Sequence, residues 1–402
     1  MLLLIPVSRR EEFAPIRRTP WQRLRNRARR ALDGLLWRSG LTPQFHYSTY
    51  EDRRHSNRGD IAIRIASIAL LRAAFGGAVR VADAGWAELR LLDADWIDRH
   101  ADLLVVGGGG YYGLDDAGCL AARVGQDAAL LADLRIPAVS LAPGVNRALG
   151  AAGATAEIHP DSVPVLAGLL GTLRLSSARD RPSREALNRI APGSTLALAD
   201  PALFLGPAMA AEGAPDVPDG TLAVGLNLAF HGPDQGAALA GMLRLVGAAA
   251  RDLAARRRCV FHYFVHSDAE RVIPALLRRF GLRVHVVDGP VEEMLAAYGR
   301  LDLHVCQMLH SAILACNAGV PAINLAYDIK NAGFFEMMDL AEWCLPAAAV
   351  TPAQLATAMQ RAAAEGPALR AHLAARRAAL RAEMDDYLAG IAGLARQRRT
   401  LA

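Results

Sequence analysis

The strongest constraint on this chain is a repeated alternation. Short apolar runs of strand length are separated by stretches of helical period, and each run ends in glycine or in polar residues. Val79–Ala82, Leu103–Val106, Ala138–Leu141 and Leu173–Ala178 read as strands, with helices over Ile61–Ala74 and from Ser183. A second series runs through Leu222–Leu228, Val260–Val265, Val284–Val287, Leu303–Val305 and Ala322–Leu325. Continuously apolar strands joined by helices imply parallel sheets covered on both faces, because a parallel pair needs a long crossover. The two series are separated by residues 206–220, rich in Gly, Pro and Ala and without periodicity, which reads as a linker.

The expected fold class is α/β: two Rossmann-like domains in a GT-B-like arrangement with a helical C-terminal tail. The expected divisions are a basic N-terminal segment (1–45), an N-terminal domain (46–205), the linker (206–220), a C-terminal domain (221–350) and the tail (351–402). A length of 402 residues with 52% hydrophobic and 21% charged residues suits two buried cores and excludes a disordered chain.

The formal charge of +5 is local, since arginines 17, 18, 23, 25, 27, 29 and 30 crowd one stretch. The remainder is near neutral, so no nucleic-acid partner is expected. Residues 16–39 read as a basic amphipathic helix with an apolar stripe of Trp21, Leu24, Ala28, Leu32 and Leu35. Such a helix either packs on its own domain or rests on anionic lipid at the inner face of the membrane, and the sequence leaves both readings open. The opening MLLLIPVSRR is too short an apolar run for a signal peptide, and no apolar stretch is long enough to span a bilayer, so a cytoplasmic location is expected. The five cysteines form no CxxC pair. Reduced thiols are expected, with no disulfide frame and no metal site.

In open parallel sheets, ligands bind beyond the carboxyl ends of the strands. The polar residues at those ends are Gly107–Tyr112, Pro143–Asn146, Arg179–Asp180, Asp200, Asn227, His266–Asp268, Asp288, Gln307–His310 and Tyr327–Lys330. Histidines, an arginine and the sole lysine, Lys330, suit an anionic small molecule handled by acid–base chemistry. The glycine run, with Gly108, Gly109 and Gly110, reads either as a tight turn or as a backbone cradle for an anion. Asn57, Gly59 and Asp60 open an apolar helix, with Asp60 the expected N-cap. His310 is the candidate general acid, with Ser311 beside it at the start of a helix. His304, inside an apolar strand, reads as a core residue, and His266 reads as a ligand contact or a helix cap.

These residues resemble the polysaccharide pyruvyltransferase family from about residue 55 to 340. The pieces are Asn57-x-Gly59-Asp60, the run GGGGYYG, SLAPG at 140–144, ARDRPS, Asp-Pro-Ala-Leu at 200–203, and MLHSAILACNAGVPAINLAYDIK. The resemblance departs at Met308, where the family usually carries an arginine. It implies transfer of a pyruvyl group from phosphoenolpyruvate to a sugar hydroxyl of a surface polysaccharide or its lipid-linked precursor, giving a pyruvate ketal. It further implies His310, Arg179 and Lys330 as catalytic residues. Asn57, Gly59, Asp60, Gly108, Gly109, Gly110, His266 and Ser311 would bind the donor, with no metal and no further cofactor. Two other readings stay open at this point: a GT-B glycosyltransferase using a nucleotide-activated sugar, and a catalytically silent assembly subunit.

Overall fold

The computed structural model describes residues 2–5, 21, 57–76, 79–83, 92–115, 117–146, 157–206, 218–230 and 236–401. The basic stretch 16–39, apart from Trp21, and most of the linker, 207–217, lie outside these residues.

Leu103–Val106 is buried at every position, which only a strand covered on both faces permits. It is β3 of a six-stranded parallel sheet in the order β2-β1-β3-β5-β7-β8. The others are β1 (Leu2–Ile5), β2 (Val81–Asp83), β5 (Ala138–Ser140), β7 (Leu173–Ala178) and β8 (Thr195–Ala197). The opening apolar run is therefore a strand, paired on one side with β2 and on the other with β3. The alternation did not reveal it, because no described helix precedes it in sequence. Of the two readings of the glycine run, the tight turn into a helix is not what the chain adopts: the run continues as β4 (Gly109–Gly113), paired in parallel with β6 (Pro143–Asn146) beyond the end of the main sheet.

The second sheet is also parallel, in the order β11-β10-β9-β12-β13-β14. Its strands are β9 (Leu222–Asn227), β10 (Cys259–Phe264), β11 (His285–Val287), β12 (Leu303–Cys306), β13 (Ala322–Ala326) and β14 (Cys344–Pro346). This is the doubly wound 3-2-1-4-5-6 order, with the strand direction of winding reversing between β9 and β12. That reversal opens a crevice at the ends of these two strands, where Asn227 and the segment 307–310 lie. The fold is thus α/β with two Rossmann-like sheets in a GT-B-like arrangement.

Three helices tie the halves together. In α1 (Arg58–Ala74), Asn57 is the N-cap, its Oδ1 accepting from the Gly59 N–H at 3.0 Å. Asp60 is instead a first-turn acid, accepting from Asn57 Nδ2 at 3.0 Å. Ile61, Ala62 and Ile63 pack into the core of the second sheet, whereas Leu70 and Leu71 pack beneath the first. In α4 (Ile329–Met337, following α2 at Arg181–Ile190 and α3 at Leu309–Asn317), Ile329 joins the core of the first sheet. The C-terminal helix α5 (Gly366–Leu401) starts against the second half through Leu373 and Leu380. It then returns to the first half through Met384, Tyr387, Leu388 and Ile391, and the Tyr387 hydroxyl donates to Ser140 O at 2.7 Å. Among the described residues no helix is long and apolar enough to cross a membrane.

Arg58 is the polar part of this junction. It is fully buried, its N–H donates to His266 O at 3.0 Å, and Nη2 donates to Asp288 Oδ1 at 2.6 Å. Burial pulls the guanidinium below its usual value, and Asp288 is the largest opposing charge. Asp288 is only partly buried, but removing its charge takes the largest counter-charge from a fully buried guanidinium. Asp288→Asn is therefore expected to destabilise the protein by about 3 kcal/mol in urea unfolding. A change within about 0.5 kcal/mol, the range of ordinary surface substitutions, would show that Asp268, 4.0 Å from Nη1, suffices alone.

Candidate active site at the domain junction

His310 occupies the first turn of α3, directly beyond β12, and two of its neighbours, Asp200 and Gly59, come from the other half of the protein. Its Nε2 stands 3.5 Å from Asp200 Oδ2, an ion-pair distance without the alignment of a hydrogen bond. Its ring edge lies over Gly59 so closely that a Cβ there would sit 2.2 Å from Nδ1. Asp200 ends the first half, where its Oδ1 caps the turn Pro201–Phe204 by accepting from the Ala202 N–H at 2.9 Å. Burial would raise the Asp200 carboxyl. The contact with His310, the charge of Arg179 and the Ala202 N–H outweigh burial and hold it below the usual carboxylate value.

Arg179 follows β7 and is 3% exposed. Its Nη2 donates to Asn146 Oδ1 at 3.0 Å, and Nε faces Asp180 Oδ2 at 3.4 Å. The guanidinium lies on Gly144, where a Cβ would come within 2.5 Å of Nη2. The chain reaches this place through a strained turn. Ala142 has φ 51°, a left-handed value that costs about 1–2 kcal/mol for a residue with a Cβ. Its N–H is held by Ser177 Oγ at 3.0 Å. The turn diverts the chain from β5 into β6 and so brings Gly144 and Asn146 under Arg179. Gly110 completes the row, since a Cβ there would be 1.9 Å from Asn146 Nδ2.

Lys330 enters from α4. Its Nζ is 3.3 Å from Asp328 Oδ2 and 5.6 Å from the centroid of the Tyr327 ring. Burial raises the Tyr327 hydroxyl, while the charges of Lys330 and Arg179 pull it back, so both cations bear on this ring. The hydroxyl points at Met308, donating to Sδ at 3.7 Å. α4 also presses on the start of α2, since a Cβ at Gly333 would be 3.0 Å from Asp180 Cβ.

The structure thus brings His310 against Asp200 and Gly59, and Arg179 against Gly144 and Asn146, which itself seats on Gly110, while Lys330 stands beside Tyr327. It places other expected site residues differently. Ser311 and His266 are fully buried and belong to a chain of hydrogen bonds. His304 Nε2 pairs with Ser311 Oγ at 2.8 Å, Ser311 Oγ with Tyr298 at 2.7 Å, and the Tyr298 hydroxyl with His266 Nε2 at 2.8 Å. Burial pushes His304 down to about 3 and His266 well below its usual value, the charge of His310 adding to the latter. Beneath His266 lies Glu270, which burial drives up to about 8 against the His266 N–H, Ser267 and Asn227 that donate to it. Gly108 is closed in by Ile63 and by the carbonyls of Leu141 and Ala142, and Gly109 has φ 84° within β4. Gln307 spends its Oε1 on the Ala229 N–H at 3.1 Å. Among the described residues no cluster of three or more potential metal ligands occurs.

Asn146 and Asp200 are legible as polar strand-end residues, and Asp200 also opens the Asp-Pro-Ala-Leu piece of the resemblance, but neither is marked by the sequence as a site residue. The contact with His310 or Arg179 is non-local in each case.

A family model described as polysaccharide pyruvyl transferase matches residues 57–329. No curated protein matches the chain. Among solved structures, it is similar to a protein described as a UDP-N-acetylglucosamine 2-epimerase from Listeria monocytogenes. That likeness has 11% identity over 79% of this chain and 88% of the other, with a TM-score of 0.49. The glycotransferase of kitacinnamycin shares 16% identity over 85% and 96% of the two chains, with a TM-score of 0.49. A UDP-forming trehalose-phosphate synthase from Burkholderia xenovorans shares 14% over 80% and 78%, with a TM-score of 0.45.

Proposed function

The chain belongs to the polysaccharide pyruvyl transferase family, and from that premise we propose that it moves a pyruvyl group from phosphoenolpyruvate to hydroxyls of a sugar, forming a ketal. The acceptor is a surface polysaccharide or its lipid-linked precursor. One observation supports the reading: the Asp200 carboxylate, 3.5 Å from His310 Nε2, also feels the charge of Arg179, and the Tyr327 hydroxyl feels the charges of both Lys330 and Arg179.

The chemistry follows from those groups. Arg179 suits the planar carboxylate of the donor, which a guanidinium can meet with two parallel N–H bonds, and Lys330 suits the phosphate as a point charge. His310, as imidazolium, protonates the methylene carbon. The carbon–carbon π pair forms the new C–H bond, leaving an oxocarbenium-like centre. One sugar hydroxyl adds there and gives up its proton. Phosphate then leaves, and the second hydroxyl closes the ketal. Of the two hydroxyl protons, one replaces that spent on the methyl group and the other leaves with phosphate. No further cofactor enters this balance.

A thermal-shift comparison tests the donor. Phosphoenolpyruvate at a hundredfold excess over its Kd is expected to stabilise the protein by about 2.7 kcal/mol, and nucleotide sugars by far less. Stabilisation by a nucleotide sugar with none by phosphoenolpyruvate would overturn the reading in favour of a glycosyltransferase.

A further inference from the structure

We infer that Asp200 is the positioning residue for His310 and that Nδ1, not Nε2, is the nitrogen that exchanges a proton with the substrate. The inference rests on the proposed pyruvyl transfer and deepens it. Four observations support it. Nε2 is shut off from solvent and faces Asp200 Oδ2 at 3.5 Å. Asp200 is itself fully buried and has its other oxygen fixed by the Ala202 N–H, so Oδ2 has a set direction. Nδ1 is the ring's other nitrogen and packs over Gly59, which has no Cβ to strike it. The His310 side chain keeps 12% of its surface, which must serve proton exchange from some edge other than Nε2.

A carboxylate facing Nε2 fixes three things at once. It selects the tautomer with hydrogen on Nε2, because a carboxylate can only accept. It stabilises the imidazolium that the first step requires. It also fixes the ring plane, so that Nδ1 is presented at a constant angle. In the step itself, the Nδ1 proton passes to the methylene carbon and the N–H pair returns to the ring. The proton released by the attacking hydroxyl then restores the imidazolium. Asp200 gains and loses no proton.

Other charged groups surround the imidazole. Arg179 comes from the end of β7, Arg58 and Asp60 flank Gly59 on α1, and His266 comes from the end of β10. Asp200 is distinguished from these by its ion-pair contact with the ring.

Asp200→Asn is a close test, because the amide keeps Oδ1 for the Ala202 N–H and alters only the edge that faces His310. The variant is expected to lose at least tenfold in kcat while its KM for phosphoenolpyruvate does not rise. In a His310→Ala background, Asp200→Asn should cost nothing further in turnover. A kcat within threefold of wild type, or a loss that persists in the His310→Ala background, overturns the inference. A raised KM together with a lost phosphoenolpyruvate-induced thermal shift also overturns it, because Asp200 would then be holding Arg179 or the fold. Failure of the proposed function looks different: the wild-type protein would form no ketal from phosphoenolpyruvate.

Discussion

His310→Ala is expected to lower turnover by about 10²–10⁴-fold, the usual contribution of a positioned general acid, while the protein still unfolds in one cooperative transition. The ring makes little structural investment. It touches Asp200 at ion-pair distance, and the hydrogen-bonded chain of His304, Ser311, Tyr298 and His266 passes behind it without including it. Steady-state turnover with phosphoenolpyruvate and a sugar acceptor is the measurement, with the unfolding midpoint as control. Activity within a few-fold of wild type would make His310 structural and remove the acid from the proposed mechanism.

Gly59→Ala is expected to cost about 10²-fold in turnover, although an alanine inside a helix is ordinarily favoured by up to about 1 kcal/mol. Position 59 is the second residue of α1. The added Cβ would lie 2.2 Å from His310 Nδ1, 2.4 Å from Cγ and 2.6 Å from Cβ, all within hard contact. The imidazole has to swing by an ångström or more. It can do so only by leaving Asp200 or by prising α1 from α3. Either movement misplaces the acid, and misplacement by about 1 Å is enough to account for the loss. Combining the substitution with His310→Gly separates this from general damage, since the contacts with the ring and with the His310 Cβ disappear together. The double variant should be no less active than His310→Gly alone and at least as stable as Gly59→Ala. A Gly59→Ala protein of near wild-type activity would show that His310 works from another orientation.

Some of this was legible beforehand because it depends on neighbours in sequence. The strand at Leu103–Val106 is legible to the residue, because an apolar run bounded by polar ends reports burial on both faces; Leu173–Ala178 has the expected bounds too, although only its last three residues are buried. His304 was read as a core residue from its apolar strand, and it is fully buried in β12. β1 escaped because nothing described before it completes the alternation. The glycine run escaped in another way: four small residues permit a turn, but they equally permit the close pairing of β4 with β6 and the seating of Asn146 on Gly110. Asp60 suits a helix cap by residue type. Asn57 holds that place, since its side chain reaches the Gly59 N–H.

Sequence by itself determined the two parallel sheets and the pool of residues at their carboxyl ends, because strand and helix periods are local records of which face is buried. It could not say which members of that pool meet. Ser311 adjoins His310 in sequence, yet its hydroxyl lies in a sealed network, while Asp200 and Gly59 come to His310 from the other half of the chain. That choice belongs to the tertiary structure. It depends on how two rigid sheets are docked, and the docking is set by Ile61–Ile63 in one core, Ile329 in the other, α5 crossing both and the buried Arg58 between them. These contacts are non-local, and no periodicity along the chain encodes them.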